Sequence, residues 1–397
     1  MRLRDLRTVG HAPSLVAALI HFEVSFACWV LLGVLAPFIA RDVHLGPAMK
    51  GFVVATPLLG GAVWRIAVGA LSDAKGPRRV GTATMLAALL PLGAAWLLPP
   101  SPVGLLATGL FLGIAGSSFA VAIPLAAAHY PATHRGLALG VAGAGNSGTI
   151  LAALIAPRIA AHVGWQATFG LALFPVAAAA IAFRLLAREA PRPPDAHAQG
   201  VLAALTEPGC WRLCALYAVT FGGFVGLASY APTFFVDRFA VTPVAAATLA
   251  AAAAGAGSIA RPFGGLFADR AGGARVLGVV YVVVALLSLG LGASPSRAAT
   301  AVILTALLGT LGVGNGAVFQ LVAERFPGSI GSVSGIVGAA GGIGGFILPA
   351  ALSISRGATG SFAAGFVVFA VAAAIAPTAI GPAPRSAASV PGRERAA

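Results

Sequence analysis

The sequence predicts an all-α membrane protein with twelve transmembrane helices in two pseudo-symmetric six-helix halves, and three observations carry that prediction. The 397 residues are 58% hydrophobic and only 9% charged, with a mean hydropathy of +0.94. Apolar runs of about 20 residues, long enough to cross a ~30 Å hydrocarbon core, recur along the whole chain. One spacing also occurs twice: an arginine, a glycine four residues on and an aspartate eight residues on. The first copy is RIAVGALSD from Arg65 to Asp73 and the second RPFGGLFAD from Arg261 to Asp269.

The spans are expected near 14–40, 50–72, 80–98, 103–128, 136–160, 165–187, 211–236, 242–268, 276–293, 299–323, 329–355 and 360–381. A membrane barrel would instead show alternating polarity over roughly ten residues per strand, and the chain has no such pattern. The helices divide into an N-terminal six-helix bundle (1–187), a cytoplasmic linker (188–210) and a C-terminal six-helix bundle (211–381). A tail (382–397) follows whose Pro, Ser and charged residues read as disorder.

The formal net charge is +14, but the basic residues are spread over short loops, which speaks against nucleic acid as a partner. Membrane topology accounts for them. With the N-terminus inside, seventeen Lys and Arg fall on the cytoplasmic side and six on the opposite side, so both termini are expected in the cytoplasm of a multi-pass inner (plasma) membrane protein. The first apolar segment is long and leads directly into further spans, so no cleavable signal is expected. Cys28, Cys210 and Cys214 have no metal-binding or redox spacing, and neither a cofactor nor a metal is expected. An enzyme is excluded on the same ground: no cluster of His, Cys and carboxylate faces the mid-membrane region.

Other features repeat with the arginines. Gly140 and Gly143 in GLALGVAGAGNSGTI recur as Gly335 and Gly338 in SVSGIVGAAGGIGGF, and Gly113 and Phe119 are answered by Gly312 and Phe319. Helices in lipid associate through small residues that bring backbones together, so the glycine faces read as contact surfaces. Because glycine also weakens a helix, mobility at a gate is the second reading.

Arg65 and Arg261 are costly in hydrocarbon, roughly 2.5 kcal/mol or more each on insertion scales, and their two helices offer no acid at matching depth. Guanidinium is planar and permanently charged, and its fork of donors suits a flat oxyanion. Eight helical residues rise about 12 Å, so if Asp73 and Asp269 mark helix ends, both arginines lie near the midplane. Asn146 and Asn315, polar within glycine-rich spans, either donate to an anion or join helices. Glu23, the one carboxylate well inside the first span, is the candidate for proton coupling, with His21 behind it. The other reading pairs Glu23 with His21 or an N-terminal arginine at the interface.

GALSDAKGPRR, with Gly69, Asp73, Gly76, Arg78 and Arg79, resembles the cytoplasmic loop between the second and third helices of the major facilitator superfamily. A degenerate second copy, GLFADRAGGAR, stands where that superfamily expects one. The buried arginines, AGAGNSG, GAAGGIGG, LYAVTFGGF from Leu216 and GVGNGAVFQ from Gly312 are together similar to the nitrate/nitrite porter family. The resemblance covers essentially all twelve spans.

That resemblance implies alternating-access transport of nitrate and nitrite, by exchange or with protons. Arg65 and Arg261 would be the anion ligands, with Phe119, Tyr217 and Phe221 around them. It implies gating roles for Gly69, Asp73, Arg78, Arg79 and Asp269, with Asp73 meeting the start of the eleventh helix near Ser329 and Asp269 the start of the fifth near Gly136. A monomer in membrane lipid is expected. The alternative is a carrier of the same superfamily for another small organic or inorganic anion, for which further basic residues at the midplane would be expected.

Overall fold

The computed structural model describes residues 6–189, 204–326 and 330–380. The tail and most of the linker predicted from the sequence, and the Ser329 contact, lie outside the described residues. After a helical turn at Leu6–Val9, the helices are α1 (Ala12–Asp42), α2 (Pro47–Lys75), α3 (Pro77–Leu97) and α4 (Pro102–Gly116, resuming at Phe119–Ala128). Next come α5 (Ala132–Gly143, a 3-10 turn Ala144–Ser147, then Gly148–Val163) and α6 (Trp165–Leu186). The second half comprises α7 (Pro208–Phe239), α8 (Pro243–Ala271), α9 (Gly273–Ala293), α10 (Arg297–Arg325), α11 (Ile330–Thr359) and α12 (Ala363–Ile375 with a 3-10 turn Ala376–Ala379). Among the described residues eleven helical stretches are long and apolar enough to cross a membrane, and the twelfth, Ala363–Ala379, is shorter.

Local chemistry sets these boundaries, and it does so twice. Proline opens both α2 (Pro47) and α8 (Pro243), where the missing N–H costs no hydrogen bond. Ser101 and Ser296 accept hydrogen bonds from the N–H groups of Gly104 and Ala299, capping α4 and α10. Gly76 and Gly272 end α2 and α8 at φ of 90° and 87°, and Gly164 and Gly360 follow α5 and α11 at 85° and 71°. Only glycine enters that left-handed region without a Cβ clash, so the loop glycine of each motif is there for a turn. Stops of this kind let α2 and α8 run past the membrane-length segments expected for them.

The repeat governs packing as well. Within the first half a Cβ at Gly113 would run into the Gly60 backbone, and within the second a Cβ at Gly312 would run into Gly257, so α2–α4 and α8–α10 meet backbone to backbone. Between the halves α2 lies along α11, α1 touches α7, and α5 meets α8 over a smaller region.

Near the Asp73 end a polar node joins three segments of the first half. The Ser14 N–H donates to His11 Nδ1 at 3.2 Å, the Arg188 N–H donates to Ser14 Oγ at 2.9 Å, and Ser14 Oγ lies 3.4 Å from His129 Nε2. Burial, then the charge on Arg188, then His129 push the His11 imidazole below its ordinary 6.5. Its neutral form caps α1, and a protonated Nδ1 cannot accept from Ser14. The node's contribution is therefore complete above pH 6.5 and is lost as the pH falls through the lowered value. Thermal unfolding in detergent should shift downward on acidification, and His11→Asn, which keeps a cap acceptor but cannot titrate, should flatten that part of the profile.

Candidate anion site

The break in α4 creates the first ligand of the site. At Ser117 the chain leaves the α-helical pattern, and the Ala120 N–H bonds the Ser117 carbonyl at 2.8 Å rather than that of Gly116. The freed Gly116 carbonyl accepts from Arg65 Nη2 at 2.7 Å. Arg65 Nη1 donates to the carbonyl of Gly338 on α11 at 2.5 Å, crossing from one half to the other. A Cβ at Gly338 would lie 3.1 Å from Arg65 Cδ and Nη1, so any larger residue there would crowd the arginine side chain. Arg65 is 2% exposed, and its Nε has no hydrogen-bond partner among the described residues.

Aromatic rings close around both arginines. The Arg65 guanidinium carbon lies 5.7 Å from the Trp29 ring, 5.9 Å from Phe119 and 5.8 Å from Phe221. Arg261 lies 5.6 Å from Phe319 and donates through Nη2 to the Tyr217 hydroxyl at 3.3 Å. Tyr217 and Phe221 stack at 4.9 Å with their planes 4° apart, bridging the two cations. Phe319 packs edge-on against Tyr217 at 5.1 Å and tilted against Phe119 at 5.6 Å. Ring faces attract guanidinium, and the rings keep water away from it.

Below this box lies a cavity of about 380 Å³ lined by parts of α4, α5, α8, α10 and α11. Arg261, Asn146, Ser258, Phe119 and Phe319 face it, and no acidic side chain among the described residues does. Asn146 Nδ2 donates to Ser258 Oγ at 3.2 Å, linking α5 to α8, and its buried Oδ1 has no hydrogen-bond partner among the described residues. Toward the Asp269 end the cavity is open among the described residues: Gly140, Gly143 and Gly265 line it, and no atom of another described segment lies within 4 Å of where a Cβ would be.

The opposite end is closed. Lys50 at the start of α2 forms a 2.8 Å ion pair with Asp237 near the end of α7, and Arg158 Nη2 on α5 donates to Thr248 Oγ1 on α8 at 3.2 Å. Gly51 is pressed against Ser353 and the Pro349 carbonyl of α11. All of these contacts join one half to the other.

The structure thus brings Arg65, Arg261, Phe119, Tyr217, Phe221 and Asn146 into one neighbourhood. Only Arg261, Phe119 and Asn146 of these line the cavity; Arg65 is held behind the aromatic pair by carbonyls. Glu23 is elsewhere. Its Oε2 accepts from Ser147 Oγ at 2.7 Å, and it lines a separate apolar crevice between α1, α5 and α6. His21, on another face of α1, packs against Phe183 with ring centroids 4.7 Å apart and planes tilted by 43°.

Among the expected gate residues, Asp73 and Asp269 are exposed at the ends of α2 and α8, and Gly69 is partly exposed one turn earlier. Arg78 is tied to α6: its Nη2 donates to the Arg184 carbonyl at 2.9 Å. The backbone N–H groups of Arg78 and Arg79 donate to the Glu189 carboxylate, which caps the N-terminus of α3. The Gly140 and Gly143 face expected to pack against a neighbour borders open space in this conformation, while Gly145 and Gly148 press on α1.

Sequence reasoning passed over Ser258, Trp29 and the site role of Phe319. Phe319 carried a signal as the repeat counterpart of Phe119, and Ser258 stands three residues before Arg261, on the same helical face. Trp29 carried none.

Comparison with known proteins supplies a further set of findings. The family model for the Major Facilitator Superfamily matches residues 17–349. A protein of Mycobacterium tuberculosis (strain CDC 1551 / Oshkosh) named probable nitrate/nitrite transporter NarK2 is 38% identical over 358 residues, covering 86% of this chain and 88% of the relative. A Bacillus subtilis (strain 168) protein named nitrite extrusion protein is 33% identical, covering 86% and 87%. Among solved structures, the xylose transporter XylE of E. coli in a partially occluded inward-open conformation aligns with a TM-score of 0.73 at 16% identity, covering 92% of this chain and 95% of that one. A bacterial homologue of the lysosomal transporter Spinster aligns at 0.72 with 17% identity, covering 93% and 96%. These two likenesses concern the fold.

The open and closed ends make an accessibility prediction. A cysteine at Gly265→Cys should react with a water-soluble maleimide, and one at Ser229→Cys, buried between α7 and α1, should not. Adding Lys50→Ala to Ser229→Cys should raise its labelling rate by loosening the closed end.

Proposed function

Since the chain belongs to the major facilitator superfamily and, within it, to the nitrate/nitrite porter family, we propose that it moves nitrate and nitrite across the membrane by alternating access, the anion passing between Arg65 and Arg261. The carrying observation is the Arg261 cavity: a permanent cation beside Asn146 and Ser258, flanked by the rings of Phe119 and Phe319, with no acid facing it among the described residues. The relatives named for nitrate and nitrite transport support the substrate. So does the lining itself, because Arg261 is its one basic side chain among the described residues, which suits a small monovalent anion better than a phosphate ester.

In this reading the conformation faces the cytoplasm. The Asp73 and Asp269 ends of α2 and α8 are the cytoplasmic ends that positive-inside bias favours in an inner-membrane protein, and the Lys50–Asp237 pair is the outer closure. An arriving anion engages Arg261 first. Arg65 is reached when its carbonyl partners, one on each half, separate as the halves rock.

Charge sets the coupling. Arg65 is buried and Arg261 partly so, and without an anion this pair of cations carries a desolvation cost, so the unloaded protein returns slowly and exchange of one anion for another is favoured. Glu23 lines a different crevice, which supports assigning the counter-charge to the exchanged anion rather than to this carboxylate.

In proteoliposomes, labelled nitrate should exchange against nitrate or nitrite faster than it leaves into anion-free buffer, with phosphate failing to compete. Arg261→Lys keeps the charge but loses the planar fork, and should lower this flux at least about tenfold, the equivalent of roughly 1.4 kcal/mol. Undiminished flux in that variant would remove Arg261 from the site.

A further inference from the structure

One short segment of α5 touches both the anion cavity and the crevice that holds Glu23. The 3-10 turn Ala144–Ser147 presents Ala144 and Asn146 to the cavity, while Ser147 points back to α1. The turn rests directly on α1. A Cβ at Gly145 would lie 2.7 Å from Phe22 Cβ and 2.9 Å from the Glu23 nitrogen, and one at Gly148 would run into the Glu23 carbonyl.

Ser147 Oγ is 2.7 Å from Glu23 Oε2 and 2.7 Å from the Ala144 carbonyl. Its hydroxyl has one proton for two acceptors. An ionised Glu23 takes that proton as the stronger acceptor. A protonated Glu23 turns donor toward Ser147 Oγ, and the serine proton rotates onto the Ala144 carbonyl, a bond inside the turn itself. The proton on Glu23 is taken from solvent and returned to it; Ser147 keeps its own.

Few other charges act on Glu23. The crevice, about 230 Å³, is walled by α1, α5 and α6, and Cys28 is the one other ionisable side chain among those lining it. His21 faces Phe183 rather than the crevice. Arg158 and His162 of α5 lie toward the far end of that helix, and Arg65 and Arg261 lie on the cavity side of the turn.

We propose that Glu23 is a positioning residue of the anion site: through Ser147 it sets the turn that presents Asn146 to the Arg261 cavity, so that protonation of its carboxyl changes the affinity for the anion. This rests on the reading of that cavity as the nitrate and nitrite site. The effect is on affinity, because Asn146 bonds Ser258 across the halves beside Arg261, whereas the slow return of the unloaded protein depends on the arginines.

The test uses full-length protein in proteoliposomes with equal pH on both sides, measuring nitrate counterflow from acidic to alkaline pH. The parent should show a severalfold change in KM with little change in kcat. Glu23→Gln and Ser147→Ala should each flatten the KM profile, and Glu23→Asp should restore part of the slope. A Glu23→Gln profile that keeps the parental slope overturns the proposal, as does a flat profile in the parent.

A second readout needs no nitrate. The maleimide reaction rate of Gly140→Cys, placed where a side chain meets open space, is compared in the parent and E23Q backgrounds at each pH. The ratio should vary with pH, and a constant ratio overturns the link between Glu23 and the turn. Parental vesicles that move no nitrate, with a ratio that still varies, would refute the substrate reading and leave the Glu23 link standing.

Discussion

The arrangement depends on satisfying one guanidinium in the interior of a membrane protein. Among the described residues Arg65 has no carboxylate partner, and its charge is met by backbone carbonyls and ring faces. Each of those has a structural cause. The Gly116 carbonyl is available because α4 breaks at Ser117, and the Gly338 carbonyl is reached without crowding because residue 338 has no side chain. The rings are held in turn: Trp29 donates to the Pro57 carbonyl at 2.6 Å, and Tyr217 stacks on Phe221. Replacing these contacts by an acid would neutralise the site and cancel its attraction for an anion. Carbonyl dipoles hold the cation while leaving its net charge in place.

The repeat gives both halves the same parts, but this conformation uses them differently. Gly338 is pressed onto Arg65, while its counterpart Gly143 borders the open cavity near Arg261. One arginine is enclosed by backbone and the other is exposed to an aqueous-sized space. On the proposed alternating-access reading, this asymmetry between the halves corresponds to one end of the transport cycle. The closed end is held by polar links between the halves, Lys50 with Asp237 and Arg158 with Thr248, and these can break and reform at little net cost because both partners rehydrate.

The glycines divide into kinds that composition alone could not separate. Gly113 and Gly312 hold backbones together, Gly76 and Gly272 take left-handed turns, and Gly140 and Gly143 leave space. Gly145 and Gly148 seat the turn that follows on α1, and the Asn146–Ser258 hydrogen bond ties it to α8.

Hydropathy and the 196-residue repeat were enough to determine the twelve helices, their division into halves and the two arginines, because span length and the cost of a buried charge are properties of local sequence. Phe119, Tyr217, Phe221 and Asn146 were also legible, from motif resemblance and from polarity within an apolar span. Tertiary structure decided the rest. It placed Arg65 behind the aromatic pair and Arg261 on the cavity, added Phe319 and Ser258 to the site, and turned Glu23 toward a crevice of its own. These outcomes depend on which face of each helix meets which neighbour. A one-residue step rotates a side chain by about 100° around the helix, and only packing fixes that rotation.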